Sequence, residues 1–104
     1  MIIVTAENLP DLKVVKTLGI VRGSTIRSRH LGRDLLAAFR NVVGGEIHEY
    51  VKLMGEAREQ AIDRMVEEAE SLGANAIICT RFATSEVMSG AAELMAYGTA
   101  VVGE

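Results

Sequence analysis

The sequence has few residues that carry thiol or aromatic chemistry: its 104 residues include one cysteine, one proline, two phenylalanines, two tyrosines and no tryptophan. The single thiol, Cys79, cannot form an intramolecular disulfide, so nothing indicates an oxidising compartment. Residues 1–5 lack the basic stretch and apolar run of a signal peptide. No segment approaches the roughly 20 apolar residues of a membrane span, so we expect a cytoplasmic protein without a membrane partner.

The charge of the chain disfavours nucleic acid as a partner, and its apolar content favours another copy of the same chain. The formal net charge is −3, which disfavours nucleic acid as a partner because its phosphates are bound by basic surfaces. The length gives room for one domain, residues 1–104, whose core hides only about 60–70% of the surface of the unfolded chain. Because 49% of the residues are hydrophobic, the sequence predicts that part of the apolar surface is buried between subunits of a homo-oligomer.

Sequence motifs of catalysis are absent. The chain contains no G-x-S-x-G, no H-E-x-x-H and no phosphate-loop pattern. Its glutamates have plainer expected roles as helix caps, strand-edge charges and ion pairs. We therefore expect a protein without catalytic residues. An uncharacterised enzyme ranks third, behind a non-catalytic binding protein and a metal-binding protein.

The residues that bind heavy metals are scattered. Such sites need converging thiolate, thioether or imidazole ligands, whereas the chain has one cysteine, and His30 and His48 fall in different predicted elements. We expect Cys79 to be a small buried residue of a strand. No cofactor is predicted, and a metal ion is an alternative, because a ring could bring several copies of one ligand to its axis.

The first half of the chain predicts a strand followed by two helices. Residues 13–26 favour a strand, with Gly19 and Gly23 as bends or bulges. Apolar residues then recur at three and four positions over 31–43, which predicts a helix that ends at Gly44-Gly45. A second helix of roughly 27 residues begins at Glu46 and is capped by Gly73.

The second half predicts two strands, residues 76–82 and 94–102, joined by a hairpin turn at Ser89-Gly90. We expect Gly98 to let a helix approach the sheet closely. The order is β-α-α-β-β, and the fold class is α+β, with two helices packed on one face of a small antiparallel sheet.

The second helix has an anomalous arginine. At about 40 Å this helix is too long for the core of one subunit, so part of its apolar stripe should meet another subunit. Counting 100° per residue places Arg58 inside that stripe, between Met54 and Ile62. A buried guanidinium needs a partner, for which we expect Glu93 first, then Glu86 or an acidic residue of another subunit. The alternative is that Arg58 extends to the rim.

Basic residues cluster where the first strand gives way to the first helix. They are Arg22, Arg27, Arg29, His30 and Arg33. Guanidinium groups there suit phosphate or carboxylate oxygens, which indicates an anion site. The other interpretation, which we favour, is that they pair with the acidic surplus of the long helix in another subunit.

The chain resembles the YbjQ-like proteins, a family of uncharacterised function. The matching stretches lie in order from about residue 13 onward: Ile26-Arg27-Ser28-Arg29, Gly32-Arg33-Asp34, Val43-Gly44-Gly45-Glu46, Tyr50, Ala57-Arg58, Gly73-Ala74-Asn75-Ala76, Arg81-Phe82, Glu93 and Tyr97-Gly98-Thr99-Ala100. The resemblance implies a small α+β subunit in a ring-shaped homo-oligomer, a pentamer, and it carries a provisional heavy-metal label. It implies no catalytic residue.

Together these features predict a non-catalytic ring that binds a small anionic ligand or a partner where subunits meet, with heavy-metal binding as the alternative. We would test first an anion held by Arg27 and Arg29. The candidate ligand or interface residues are Arg27, Arg29, Glu46, Tyr50, Arg58, Arg81, Glu93 and Tyr97.

Overall fold

A computed structural model describes residues 1–28, 45–88 and 91–104. In chain order the elements are β1 (Ile2–Ile3), β2 (Val14–Ser28), α1 (Gly45–Ser71), β3 (Ala76–Met88) and β4 (Ala91–Gly103). The strands form one sheet in the order β1-β3-β4-β2. The α+β class is confirmed for this part of the chain. The helix predicted over 31–43 and the turn at Ser89-Gly90 lie outside the described residues.

The sheet is mixed, which corrects the prediction of an antiparallel sheet. β4 pairs antiparallel with both β2 and β3, but β1 runs parallel to β3. The chain continues alongside β3 after β1, since the amides of Thr80 and Cys79 donate to the carbonyls of Val4 and Ala6, at 3.0 Å each. Composition does not indicate which strand β1 pairs with, because parallel pairing joins segments that are distant in the sequence.

Helix α1 matches its predicted length and end. It spans 27 residues, and Gly73 follows it with a φ of +88°, a conformation that glycine adopts without steric cost. The amide of Gly73 donates to the carbonyl of Glu70 at 3.0 Å and that of Ala74 to Ala69 at 3.1 Å. These two bonds satisfy carbonyls that the last turn of a helix leaves free. Within the described ranges, no helix is long and apolar enough to cross a membrane.

The core lies between α1 and the two strands β2 and β4. Small side chains dominate it, so helix and sheet lie close together. The fully buried cluster consists of Val21, Ala61, Met65, Ala69, Ile77, Ala96 and Ala100. On the helix the buried residues recur every four positions, at Ala57, Ala61, Met65 and Ala69.

Two glycines have different roles from those predicted. A Cβ on Gly23 would overlap the carbonyl of Ala61 and lie 2.8 Å from the Cβ of Arg64, so Gly23 is the residue that lets α1 approach the sheet. A Cβ on Gly98 would meet β3 instead, 2.7 Å from Cγ2 of Ile77. Gly19 is confirmed as an irregularity, with a φ of +112° next to a shift in the β2–β4 register.

The subunit is elongated. Its radius of gyration is 17.0 Å and its extents are 55 × 26 × 19 Å, whereas a compact chain of this length has a radius of gyration of about 13 Å. The long hairpin of β3 and β4 and the equally extended β2 account for the excess length. Several large apolar side chains are exposed along the strands, among them Val15, Ile20, Ile26 and Phe82.

Candidate functional site

The two faces of the sheet differ in what covers them. Val21, Gly23 and Thr25 of β2 are buried, and the hydroxyl of Thr25 donates to the carbonyl of Ala57 on α1 at 3.4 Å. Because successive side chains of a strand point to opposite faces, the residues between them point away from the helix. Of these, Ile20 is 70% exposed and Ile26 is 62% exposed.

The face that points away from α1 is built from four rows across three strands, and we call it the outer face. Strand register places directly paired residues on the same face. The rows, read from β2 through β4 to β3, are Ile20–Thr99–Ile78, Arg22–Tyr97–Arg81, Ser24–Met95–Ala83 and Ile26–Glu93–Ser85.

A tyrosine flanked by two arginines forms the most polar row of the outer face. Tyr97 is half-buried on β4, and Arg22 and Arg81 are exposed on either side of it. The guanidinium of Arg81 is held in place because its Nη1 donates to the carbonyls of Thr5 and Thr80, both at 2.9 Å. The row presents two positive charges, of which that of Arg81 is held in place, beside exposed isoleucines, a combination that suits an amphipathic partner carrying acidic groups.

The free edge of β2 is covered by side chains from α1. The backbone amide of Arg22 donates to the carboxylate of Glu68 at 3.3 Å, and the guanidinium of Arg64 donates to the carbonyl of Ser24. Pairing with another strand is therefore blocked in the middle of this edge. Any association of the sheet with another chain has to use its outer face or the remaining edge positions.

A bulge in β3 aligns Arg81 with Tyr97. The register shifts between Ile78 and Arg81, and Cys79 within the shift has a φ of +55°. Cys79 lies in a strand, as predicted, but it is half-buried rather than buried. The hydroxyl of Thr80 is buried and has no hydrogen-bond partner among the described residues.

Arg58 lies outside the core, contrary to its predicted place in the apolar stripe. Its side chain is exposed on α1, while Glu93, the first predicted partner, lies on the outer face of the sheet. The buried positions Ala57, Ala61, Met65 and Ala69 repeat every four residues, which advances the contact line by about 40° per step around the helix. At the level of Ala57 this contact line is far from Arg58 around the helix. A stripe drawn parallel to the helix axis therefore wrongly includes Arg58.

The other predicted site residues divide into two groups. Arg81, Glu93 and Tyr97 share the outer face, with Arg81 beside Tyr97 and Glu93 two rows away. The other residues cannot be assigned to this face. For Arg27 in β2 and for Glu46 and Tyr50 in α1 the structure describes only the backbone, and Arg29 is outside the described residues.

Arg22 is a neighbour of Tyr97 that the predicted basic cluster does not indicate. The alternation Ile20, Arg22, Ser24, Ile26 is nevertheless a signal of a shared strand face.

The described residues do not fit a heavy-metal site within one chain. No group of three or more His, Cys, Asp or Glu side chains lies together among them. Cys79, the only thiol in the sequence, lies in the β3 bulge. Soft metals require several such ligands to converge.

Comparison with known proteins gives a consistent family. Residues 1–104 match the YbjQ family model, described as "Putative heavy-metal-binding". A UPF0145 protein of Methanosarcina acetivorans is 56% identical over 97% of this chain and 95% of its own. Another from Dehalococcoides mccartyi is 55% identical over 100% of both chains.

A solved structure has the same fold. The crystal structure of a protein of unknown function from Pediococcus pentosaceus superimposes with a TM-score of 0.64, covering 100% of this chain and 98% of that one. The two sequences are only 15% identical, so the likeness concerns the fold alone.

Proposed function

The chain belongs to the YbjQ family, and on this basis we propose that it works as a ring-shaped homo-oligomer, without catalytic residues, that holds a small anionic ligand where its subunits meet. The observation that carries the proposal is the outer face, on which two strongly exposed isoleucines flank a row with two arginines. Apolar side chains gathered on one exposed face are typical of an interaction surface. The elongated shape of the subunit supports the same conclusion.

Light scattering at micromolar concentration tests the assembly. We expect a mass near five times the 11.2 kDa of the chain, in line with the pentamer that the family resemblance implies. A mass of one subunit that does not change with concentration would contradict the proposal, because the ligand site would then have no interface to occupy.

The ligand in this proposal carries phosphate or carboxylate groups and is held by Arg27 and Arg29. Arg27 follows Ile26 of the outer face along β2, and Arg29 follows Ser28, the last residue of that strand, in the sequence. Guanidinium groups recognise such oxygens through paired hydrogen bonds. A thermal-shift series with inorganic phosphate, pyrophosphate and citrate should raise the melting temperature of the wild type.

The matched variant for this test is Arg27→Gln combined with Arg29→Gln, and the control is Lys13→Gln with Lys16→Gln, which removes the same charge nearer the start of β2. We expect the stabilisation by anions to disappear in the first variant and to remain in the second. An equal rise in melting temperature with anions in both variants would show that Arg27 and Arg29 do not hold the ligand.

Heavy-metal binding is a second candidate, favoured by the description of the family model. Within one chain the described residues offer a single half-buried thiol, so such a site would need ligands from several subunits. Metal analysis of the oligomer in the presence of a competing chelator tests this candidate. Stoichiometric Zn²⁺ or Cu⁺ that is lost in Cys79→Ala would support it over the anion.

A further inference from the structure

We infer that the outer face of one subunit docks the exposed, acidic side of α1 of the next copy. This inference rests on the proposed homo-oligomer and names the two surfaces that meet in it. Both surfaces belong to every copy of the chain. They lie on opposite sides of the subunit, since α1 packs on the other face of the sheet.

The side of α1 that points away from its own sheet carries a continuous line of acids, which we call the acidic ridge. Its members are all exposed: Glu56, Glu59, Asp63, Glu67 and Glu70. At 100° per residue they fall within about 80° of one another, opposite the buried alanines. Among the described side chains of α1, Lys52 is the one base on the same side, whereas the side chain of Arg64 is bonded to the edge of β2.

Charge on the outer face is complementary to the ridge. Arg22 and Arg81 stand in its middle row, and Glu93 is its one acid. Both arginines are exposed, and neither Nε nor Nη2 of Arg81 is used in its bonds to Thr5 and Thr80. Each guanidinium can therefore donate to a carboxylate of an incoming helix, with two parallel hydrogen bonds where the geometry allows.

The apolar parts also correspond. Ile62 and Val66 on α1 are only partly buried by their own sheet, and by the helical count they border the acidic ridge. Ile20 and Ile26 on the outer face are exposed on either side of the arginine row. A helix laid along β2 would bury these side chains against one another while its acids reach the arginines.

The lengths of the two surfaces agree. From Glu56 to Glu70 the ridge extends about 21 Å along the helix axis, and from Ile20 to Ile26 the outer face extends about 20 Å along β2. Because the two surfaces differ, the contact is head-to-tail, and repetition of such a contact closes into a ring when the rotation per subunit permits. Each helix would then lie between its own sheet and that of a neighbour.

Charge reversal tests the docking. Arg22→Glu with Arg81→Glu should break the assembly, and so should Glu59→Arg with Asp63→Arg, because each places like charges opposite each other. The chain that carries all four changes has the net charge of the wild type and complementary surfaces again. We expect it to regain the wild-type mass in light scattering, whereas both two-residue variants run as single subunits.

Folding of the variants has to be separated from assembly. Arg22→Glu alone leaves the bonds of Arg81 to Thr5 and Thr80 intact and should still weaken assembly, with native circular dichroism. Lys13→Glu is the control, since it makes the same change of charge on an exposed residue outside the outer face, and it should keep the wild-type mass.

The outcomes are distinct. A monomeric wild type contradicts the proposed homo-oligomer itself. An oligomeric wild type whose mass is unaffected by Arg22→Glu and by the two-residue variants overturns the docking alone, whether or not Arg22→Glu changes the response to inorganic phosphate. Failure of the folded four-residue variant to reassemble also overturns it.

Discussion

At the scale of single residues, Cys79 occupies a backbone conformation that glycine would adopt more readily. Its φ is +55° within the β3 bulge, and bulges of this type favour glycine because a Cβ is crowded there. The bulge shifts the register so that Arg81 stands beside Tyr97. The thiol itself is half-buried and contributes modest packing.

We predict that the stability of variants at this position follows backbone strain. The free energy of unfolding of Cys79→Gly should stay within about 1 kcal/mol of that of the wild type, because relief of backbone strain offsets the lost packing and the greater freedom of the unfolded chain. Cys79→Val should cost more than Cys79→Gly, since a β-branched side chain is disfavoured at positive φ. Urea unfolding gives this order, and a valine variant as stable as the glycine variant would contradict it.

At the scale of elements, the contact between α1 and β2 depends on a missing side chain. The carbonyl of Ala61 and the Cβ of Arg64 occupy the space where a Cβ of Gly23 would stand. Close approach also brings Glu68 and Arg64 within reach of the free edge of β2. The same glycine therefore determines both the packing of the helix and the cover of the edge.

Two glycine-to-alanine changes should shift the free energy of unfolding in opposite directions. Gly23→Ala should cost at least about 1–3 kcal/mol, because the helix backbone has to move away from the sheet. Gly55→Ala lies within α1, where the added methyl meets only Nη2 of Arg58 at 3.9 Å, and it should gain about 0.5–1 kcal/mol from helix propensity. Thermal and urea unfolding of the two variants measure this contrast.

A stabilising Gly23→Ala would show that α1 does not lie against β2 as described. A destabilising Gly55→Ala would point to a contact of that helix surface in the assembly, which dilution to the single-subunit state would reveal.

At the scale of the whole molecule, the sheet has one covered and one open face. α1 packs on one face only, and on the other, outer face Ile20 is 70% exposed and Ile26 is 62% exposed. In the assembly we propose, the acidic ridge of a second copy covers this outer face.

Polar substitution of an exposed isoleucine should therefore affect assembly more than the fold. Ile20→Ser should leave the subunit folded, since this side chain is 70% exposed in the single chain, but it should lower the stability of the oligomer. Leu72→Ser is the control, because Leu72 is 47% exposed and lies beyond the end of α1. In sedimentation over a range of protein concentrations, the Ile20→Ser oligomer should begin to dissociate at a higher protein concentration than the wild type. The Leu72→Ser oligomer should dissociate at the same concentration as the wild type.

Local signals in the sequence were enough to predict the helix α1 and the longer strands. The spacing of apolar residues and Gly73 predicted the length and end of α1, and β-rich composition predicted β2 and the later strands, because helix and strand periods involve neighbours in the chain. The exposed position of Arg58 agrees with the alternative in which its side chain extends to the rim and not with a place in the apolar stripe, since the line of contact around α1 follows the sheet on which it packs.

The tertiary structure decided which residues share a face. Arg22, Arg81 and Tyr97 come from three strands and meet through the pairing of β2 and β3 with β4. A register shift of one residue would move each side chain to the other face, and two of the shifts in this sheet occur next to Gly19 and in the bulge at Cys79. Such registers depend on long-range pairing and on the space left at Gly23 and Gly98, which no local pattern records.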